Sequence, residues 1–195
     1  MYAVNEIFYS LQGEGYNTGT ASVFVRMSGC NLRCAFCDTD HSASVMMSLP
    51  QIMEEVNRYA GAPLVVLTGG EPALSVDDAL VRGLKSLGKR VAIETNGTRE
   101  LPQGIDWLTL SPKDAFAGGD KEPCILTECD ELKVVWPGQD LSRYDGISAR
   151  YRFLQPCYCA DAAERERNLA DTVRVVLANP RWRLSLQTHR MLGIR

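Results

Sequence analysis

The sequence predicts an α/β fold, a trimmed barrel or curved sheet of roughly six parallel strands with three main helices. Three observations carry that expectation. Short apolar runs alternate with amphipathic helical segments, the βα order that builds a mostly parallel sheet. One run, LVVL at 64–67, is apolar at every position, as a strand buried on both faces must be. Three helices are too few for this many strands, so some crossovers must shrink to loops. The chain has 195 residues, 45% of them hydrophobic, enough for one core, and no Ser/Gly/Pro-rich linker divides it. One domain over 1–195 follows.

The elements come in order. VNEIFYS at 4–10 and SVFVRMS at 22–28 read as strands. A helix follows over 48–61, with Ser48 as cap, Pro50 in the first turn, and Ile52, Val56 and Tyr59 on one face. After the 64–67 strand, 75–88 reads as a second helix, with Ser75 as cap, acids in its first turn and Gly88 past its end. RVAIET, IDWLTL, ELKVVW and RYRFLQ read as further strands. The third helix spans 161–179 with a stripe of Leu169, Val173, Val176 and Leu177, and Pro180 follows it. RWRLSLQ at 181–187 reads as a last strand. Residues 113–130, with AFAGGD inside, read as a long loop, either functional or disordered.

Several function classes drop out. The net charge is -3 and no Lys/Arg run appears, which argues against nucleic-acid binding. The N-terminal stretch has no basic-then-apolar leader, and no apolar run approaches the ~20 residues of a membrane helix. A cytoplasmic protein is expected. Seven cysteines in a reducing compartment suggest metal binding or catalysis rather than disulfides.

Three of the cysteines, Cys30, Cys34 and Cys37, are spaced C-x3-C-x2-C. Zinc is one reading, with His41 as a fourth ligand. An iron–sulfur cluster is the other; three thiolates on four irons leave one iron open to an external ligand. Spacing alone does not separate them. Other signatures do more. LTGGEP follows the 64–67 strand, ETNG the next, SPK the one after, and LQP a later one. Ligands of parallel α/β folds bind at the carboxyl ends of strands. Gly69 and Gly70 let backbone approach closely there.

The cysteine triplet, with Phe36 before its last member and with GGEP, resembles the radical S-adenosylmethionine (SAM) superfamily. YSLQGEG, the cysteine segment, ETNGT, SPK, LQP and the terminal QTHRMLGIR together resemble the 7-carboxy-7-deazaguanine synthase family over nearly the whole chain. The resemblance implies a partial TIM-like barrel of the radical SAM type. It implies a 4Fe-4S cluster, SAM and Mg²⁺ as cofactors. It implies a lyase that converts 6-carboxy-5,6,7,8-tetrahydropterin to 7-carboxy-7-deazaguanine with loss of ammonia, in queuosine biosynthesis. In the family a 5′-deoxyadenosyl radical abstracts hydrogen from the pterin. A homodimer, a small pterin substrate and an electron donor such as flavodoxin are implied too.

The resemblance also assigns residues. Cys30, Cys34 and Cys37 match the cluster ligands, and Thr39 the hydroxyl that binds Mg²⁺, a hard cation suited to oxygen. Phe36, Cys37, Asp38, Gly70, Ser111, Pro112, Lys113, Gln155, Pro156, Cys157 and Tyr158 match SAM-contacting positions, with Glu71 and Asn96 nearby. Leu11, Gln12, Gly13 and Thr68 match substrate contacts. Arg26 matches the partner of the substrate carboxylate, where its planar fork suits bidentate pairing. Glu14 and His189 are candidate catalytic residues. Arg195 would contribute through its backbone, the terminal carboxylate reaching the site.

Plainer readings exist for each feature. The thiols could hold a structural zinc in a binding module, which would not bind SAM. TGGEP alone is an ordinary strand-to-helix turn. Gln12, Glu14 and Thr39 could be loop polars, Arg26 a solvated strand residue, and His189 a satisfied surface histidine. Cys124, Cys129, Cys157 and Cys159 lack dense spacing and read as small buried hydrophobes rather than a second cluster. A radical SAM activase of glycyl-radical proteins shares the cysteine spacing, but QGEG and CDT argue against it.

Overall fold

A computed structural model describes residues 1–37, 39–114, 116 and 122–195. Asp38 and most of AFAGGD therefore lie outside the described residues. Among the described residues the strands are β1 (Tyr2–Leu11), β2 (Ala21–Met27), β3 (Val45–Met47), β4 (Leu64–Gly69), β5 (Arg90–Thr95), β6 (Trp107–Leu110), β7 (Glu128–Trp136), β8 (Ser148–Pro156) and β9 (Arg183–Leu184). The helices are α1 (Leu49–Asn57), α2 (Asp78–Ser86), α3 (Ala162–Ala178) and α4 (Thr188–Leu192). The strands form one sheet in the order β3-β1-β2-β4-β5-β6-β7-β8-β9. Every neighbour pair from β2 to β9 is parallel, whereas β1 runs antiparallel to both β2 and β3.

The sheet curls. The loop after β1, near one edge, bonds to residues that follow β9, the other edge. The Gly13 carbonyl accepts the N–H and the hydroxyl of Thr188, each at 2.9 Å, and the Gly15 N–H donates to Ser185 Oγ at 3.0 Å. The expected partial barrel results. Its outer face packs on the helices: Val23, Val25, Val65, Leu67, Val91 and Ile93 meet Ile52 and Val56 of α1 and Leu80, Val81 and Leu84 of α2. Leu132, Val134 and Leu154 form the matching cluster under α3. The alternate residues Phe24, Leu64, Val66, Ala92 and Trp107 fill the inner face, the two-residue period of a strand.

Local chemistry sets the boundaries. Ser48 and Gln51 form a capping box at α1, the Gln51 carboxamide reaching the Ser48 N–H at 2.8 Å. Gly88 ends α2 with φ +74°. Four expectations need correcting. Asp77, not Ser75, caps α2, because its carboxylate accepts the Leu80 N–H at 2.9 Å. Tyr59 packs on the core from beyond the end of α1. On α3, Thr172 is fully buried while Leu169 and Leu177 are exposed, so the helix is rotated from the expected stripe. The last strand shrinks to Arg183–Leu184, since Ser185 and Gln187 turn to the β1 loop.

Candidate active site

Along the inner face four strands change from apolar to polar in two-residue steps toward their carboxyl ends. Phe24 gives way to Arg26, Val66 to Thr68, Ala92 to Glu94, and Phe153 to Gln155. These polar ends, the loops above them and the C-terminal segment line one cavity of about 480 Å³. Leu11, Gln12, Gly13, Glu14, Arg26, Cys30, Cys34, Phe36, Cys37, Thr39, Thr68, Gly70, Glu71, Asn96, Ser111, Lys113, Gln155, Pro156, Tyr158, His189 and Arg195 are all in its wall. Pro112 and Cys157 are not; Pro112 is buried beside Ser111, and the Cys157 carbonyl is taken by Asn168 Nδ2 at 2.9 Å.

The GGEP turn clamps the cysteine loop. Gly70 N–H donates to Met27 O at 3.2 Å, and Glu71 N–H to Gly29 O at 2.9 Å. A Cβ on Gly70 would collide with the Gly29 carbonyl, and one on Gly69 with the Met27 backbone. The glycines thus admit the cysteine loop itself, where the sequence suggested a ligand. Glu71 is buried and braces the next strand end, accepting Thr95 Oγ1 at 2.6 Å, Asn96 N–H at 2.7 Å and Ala73 N–H at 3.0 Å. Burial pushes its carboxyl up against those bonds. Asn96 Nδ2 reaches back to Asn31 Oδ1 at 3.1 Å, between the first two cysteines.

Cys30, Cys34 and Cys37 all line the cavity, and three thiolates are a donor set that an iron–sulfur cluster takes. Among the described residues no three His, Cys, Asp or Glu side chains gather round one point as a single ion demands. Cys30 Sγ already accepts the Leu32 N–H at 3.4 Å, and burial pushes the Cys30 and Cys34 thiols up. Beside them Phe36 packs on Phe116, ring centroids 4.1 Å apart, with the Lys113 ammonium 5.8 Å from the Phe36 centroid.

In the same wall Arg26 Nε donates to Glu6 Oε1 at 2.8 Å, and its Nη1 to Thr39 Oγ1 at 3.3 Å. The Arg195 guanidinium pairs with the same Glu6 and lies 4.7 Å above the Phe8 ring, while its carbonyl accepts the Ser10 hydroxyl at 2.5 Å. Arg195 thus lines the cavity, while its backbone oxygen is held by Ser10, outside the cavity wall. The floor is a charged network. Lys133, on β7, pairs with Glu14 and stands 3.7 Å from Glu94. Gln12 Nε2 donates to Glu94 Oε1 at 3.0 Å, Thr68 Oγ1 to Glu94 Oε2 at 3.2 Å, and Gln187 Nε2 to Glu14 Oε1 at 2.9 Å. Burial opposes the charge on Glu14, but the Lys133 ammonium overcomes it and brings the carboxyl down to about 2. His189 packs where Gly13 lacks a Cβ. Cys124, Cys129, Cys157 and Cys159 are outside the cavity wall, and burial pushes Cys129 up to about 12.

Glu94, Lys133 and Glu6 were missed in the sequence. The first two had a signal: each is a charged residue on the inward phase of its strand, in RVAIET and ELKVVW.

Residues 24–116 match the family model of the radical SAM superfamily. A 7-carboxy-7-deazaguanine synthase from Bacteroides thetaiotaomicron is 53% identical over 195 residues, covering 100% of both chains. The chain belongs to the 7-carboxy-7-deazaguanine synthase family. A member from Nitratidesulfovibrio vulgaris is 42% identical over 99% of each chain. The crystal structure of QueE from Escherichia coli matches with a TM-score of 0.74 at 26% identity, over 95% of this chain and 93% of that one. SuiB from Streptococcus suis, at 14% identity and a TM-score of 0.54 over 83% of this chain and 45% of that one, shares the fold alone. Membership in this family makes the chain a radical SAM enzyme, and the superfamily implies a 4Fe-4S cluster and SAM. Among the described residues no helix is long and apolar enough to cross a membrane.

Proposed function

We propose that the chain converts 6-carboxy-5,6,7,8-tetrahydropterin to 7-carboxy-7-deazaguanine with loss of ammonia, a step toward queuosine. The observation that carries this reading is the convergence of the cysteine loop, GGEP, ETNG, SPK, LQP and the C-terminal segment on one cavity, in a chain 53% identical end to end with a protein of that name. Cys30, Cys34 and Cys37 would hold the cluster, and its open iron with SAM supplies one-electron, hydrogen-abstracting chemistry.

The chain's own residues do the rest. Phe36, Gly70, Glu71, Asn96, Ser111, Lys113, Gln155, Pro156 and Tyr158 shape the SAM side. Arg26 offers a guanidinium to the substrate carboxylate, with Thr39 beside it as an oxygen ligand for Mg²⁺. Leu11, Gln12, Gly13 and Thr68 position the rings. Glu14 and His189 face the same space, His189 as the proton-handling group and Glu14 as an ionised acceptor for the substrate. Docking of α4 on Gly13 shields the reacting atoms from water. The working form is a cytoplasmic homodimer fed by a flavodoxin-like donor; exposed Met191 and Leu192 on α4 supply apolar surface for the dimer.

The test is an anaerobic assay of reconstituted protein with SAM, dithionite, Mg²⁺ and 6-carboxytetrahydropterin, read by mass spectrometry. The expected product is 7-carboxy-7-deazaguanine. Deoxyadenosine without that product would sink the substrate assignment and favour an activase. Zinc binding without SAM cleavage would sink the enzyme reading.

A further inference from the structure

Lys133 is 5% exposed and sits mid-strand on β7, where a cation needs a reason. Its surroundings supply one. Glu14 comes from the loop after β1, Glu94 from the end of β5, and Glu131 from two residues earlier on β7 itself. Lys113, after β6, faces the same group, and His189 of α4 lies beside Glu14. Glu131 is turned away from the cavity: its carboxylate accepts the Tyr16 N–H at 2.9 Å and occupies the space that Gly15 leaves by lacking a Cβ. Glu14 and Glu94 instead line the cavity. Each carboxylate offers about four acceptor sites. Glu14 gives one to Lys133 and one to Gln187; Glu94 gives one to Gln12 and one to Thr68. Acceptor capacity remains on both, in a cavity that Arg26 also lines, two strands from Glu94.

A tetrahydropterin carries its carboxylate on one ring and, on the other, an amino group next to a ring N–H. Two adjacent donors match a carboxylate as a guanidinium fork does. We propose that Lys133 is a positioning residue for substrate recognition, its ammonium holding Glu14 and Glu94 side by side as an ionised acceptor pair for the donor edge of the pterin. The inference rests on the pterin reading above. Lys133 touches neither substrate nor cofactor; it acts through the two carboxylates. Without it two half-buried carboxylates would face each other with only part of their charge offset, by Lys113, and one would be driven toward taking a proton and turning from acceptor to donor.

The test compares reconstituted wild-type enzyme with Lys133→Met and with Lys133→Met/Glu14→Gln, the second removing the uncompensated charge should the first not fold. KM for the pterin is expected to rise about tenfold or more in either variant, the loss of one charge-assisted contact. KM for SAM should stay within about twofold of wild type, on the same factor-of-two scatter. In Lys133→Met the acid limb of kcat/KM should move to higher pH, because Glu14 loses the cation that lowers it. A variant with a lower melting temperature but wild-type pterin KM and an unmoved acid limb would make Lys133 a plain structural counter-ion and overturn the inference. If Lys133→Met does not fold, a double variant with wild-type pterin KM does the same. A wild-type enzyme that makes deoxyadenosine but no deazaguanine fails earlier, before any variant is compared, and takes both readings down.

Discussion

Two lysines are buried equally, each 5% exposed, in opposite settings. Lys89 precedes β5 at the amino ends of the strands and donates to three neutral carbonyls, Tyr59 O at 3.0 Å, Ala60 O at 2.7 Å and Ala62 O at 2.6 Å, tying down the turn after α1. Burial lowers its pKa, with no carboxylate to oppose it. Lys133 lies toward the carboxyl ends among three carboxylates that outweigh burial and raise its pKa. A neutral cage spends a buried charge on the fold, whereas a cage of opposite charges that opens on a cavity is set up to meet a ligand.

Cys34→Ala should abolish iron retention and SAM cleavage while leaving the melting temperature of the metal-free chain unchanged, since Cys34 is on the site side and supports no core contact. Iron analysis and calorimetry check both halves. Lys89→Met should do the reverse. It leaves carbonyls without a donor and costs about 1–3 kcal/mol, a fall of about 2–4 °C per kcal/mol, with pterin KM and iron content as in wild type. A tenfold change in its KM would erase the distinction between the two ends.

Thr39→Ala should weaken Mg²⁺ dependence severalfold with the cluster intact, and an unaltered Mg²⁺ titration would remove Thr39 from the metal. The smallest effect is on stability against pH. Glu14 falls from 4.5 to about 2 in the folded chain, so its contribution is present above 4.5 and lost as pH falls toward 2. Lys133 is raised, so its share persists past its ordinary 10.5. The melting-temperature gap between wild type and Glu14→Gln should be flat from about pH 5.5 to about pH 9 and shrink below that range.

The comparison also explains what could be read in the sequence. GGEP, ETNG, SPK and LQP were legible because ligand sites of parallel sheets fall at strand ends, and each motif follows an apolar run. The cysteine triplet was legible by its spacing, and its metal only through the resemblance that the triplet and GGEP carry together, since spacing alone does not separate zinc from a cluster. Glu94 and Lys133 were hidden because a run of strand residues looks apolar as a whole, and their place appears only when inner and outer phases are counted separately. Leu169 and Leu177 misled because α3 admits two apolar faces, and Thr172, bonding back to Asn168 O at 2.6 Å, took the buried one. β3 has three residues and no amphipathic signal to read; its pairing with Tyr2 to Val4 is a tertiary event.

The most direct measurement is a crystal structure of the reconstituted chain with SAM and the tetrahydropterin bound. The account predicts the pterin carboxylate at Arg26, its amino edge on Glu14 and Glu94, and Lys133 still bridging the two. A pterin bound with its amino edge elsewhere, or with Glu14 and Glu94 drawn apart, would contradict it.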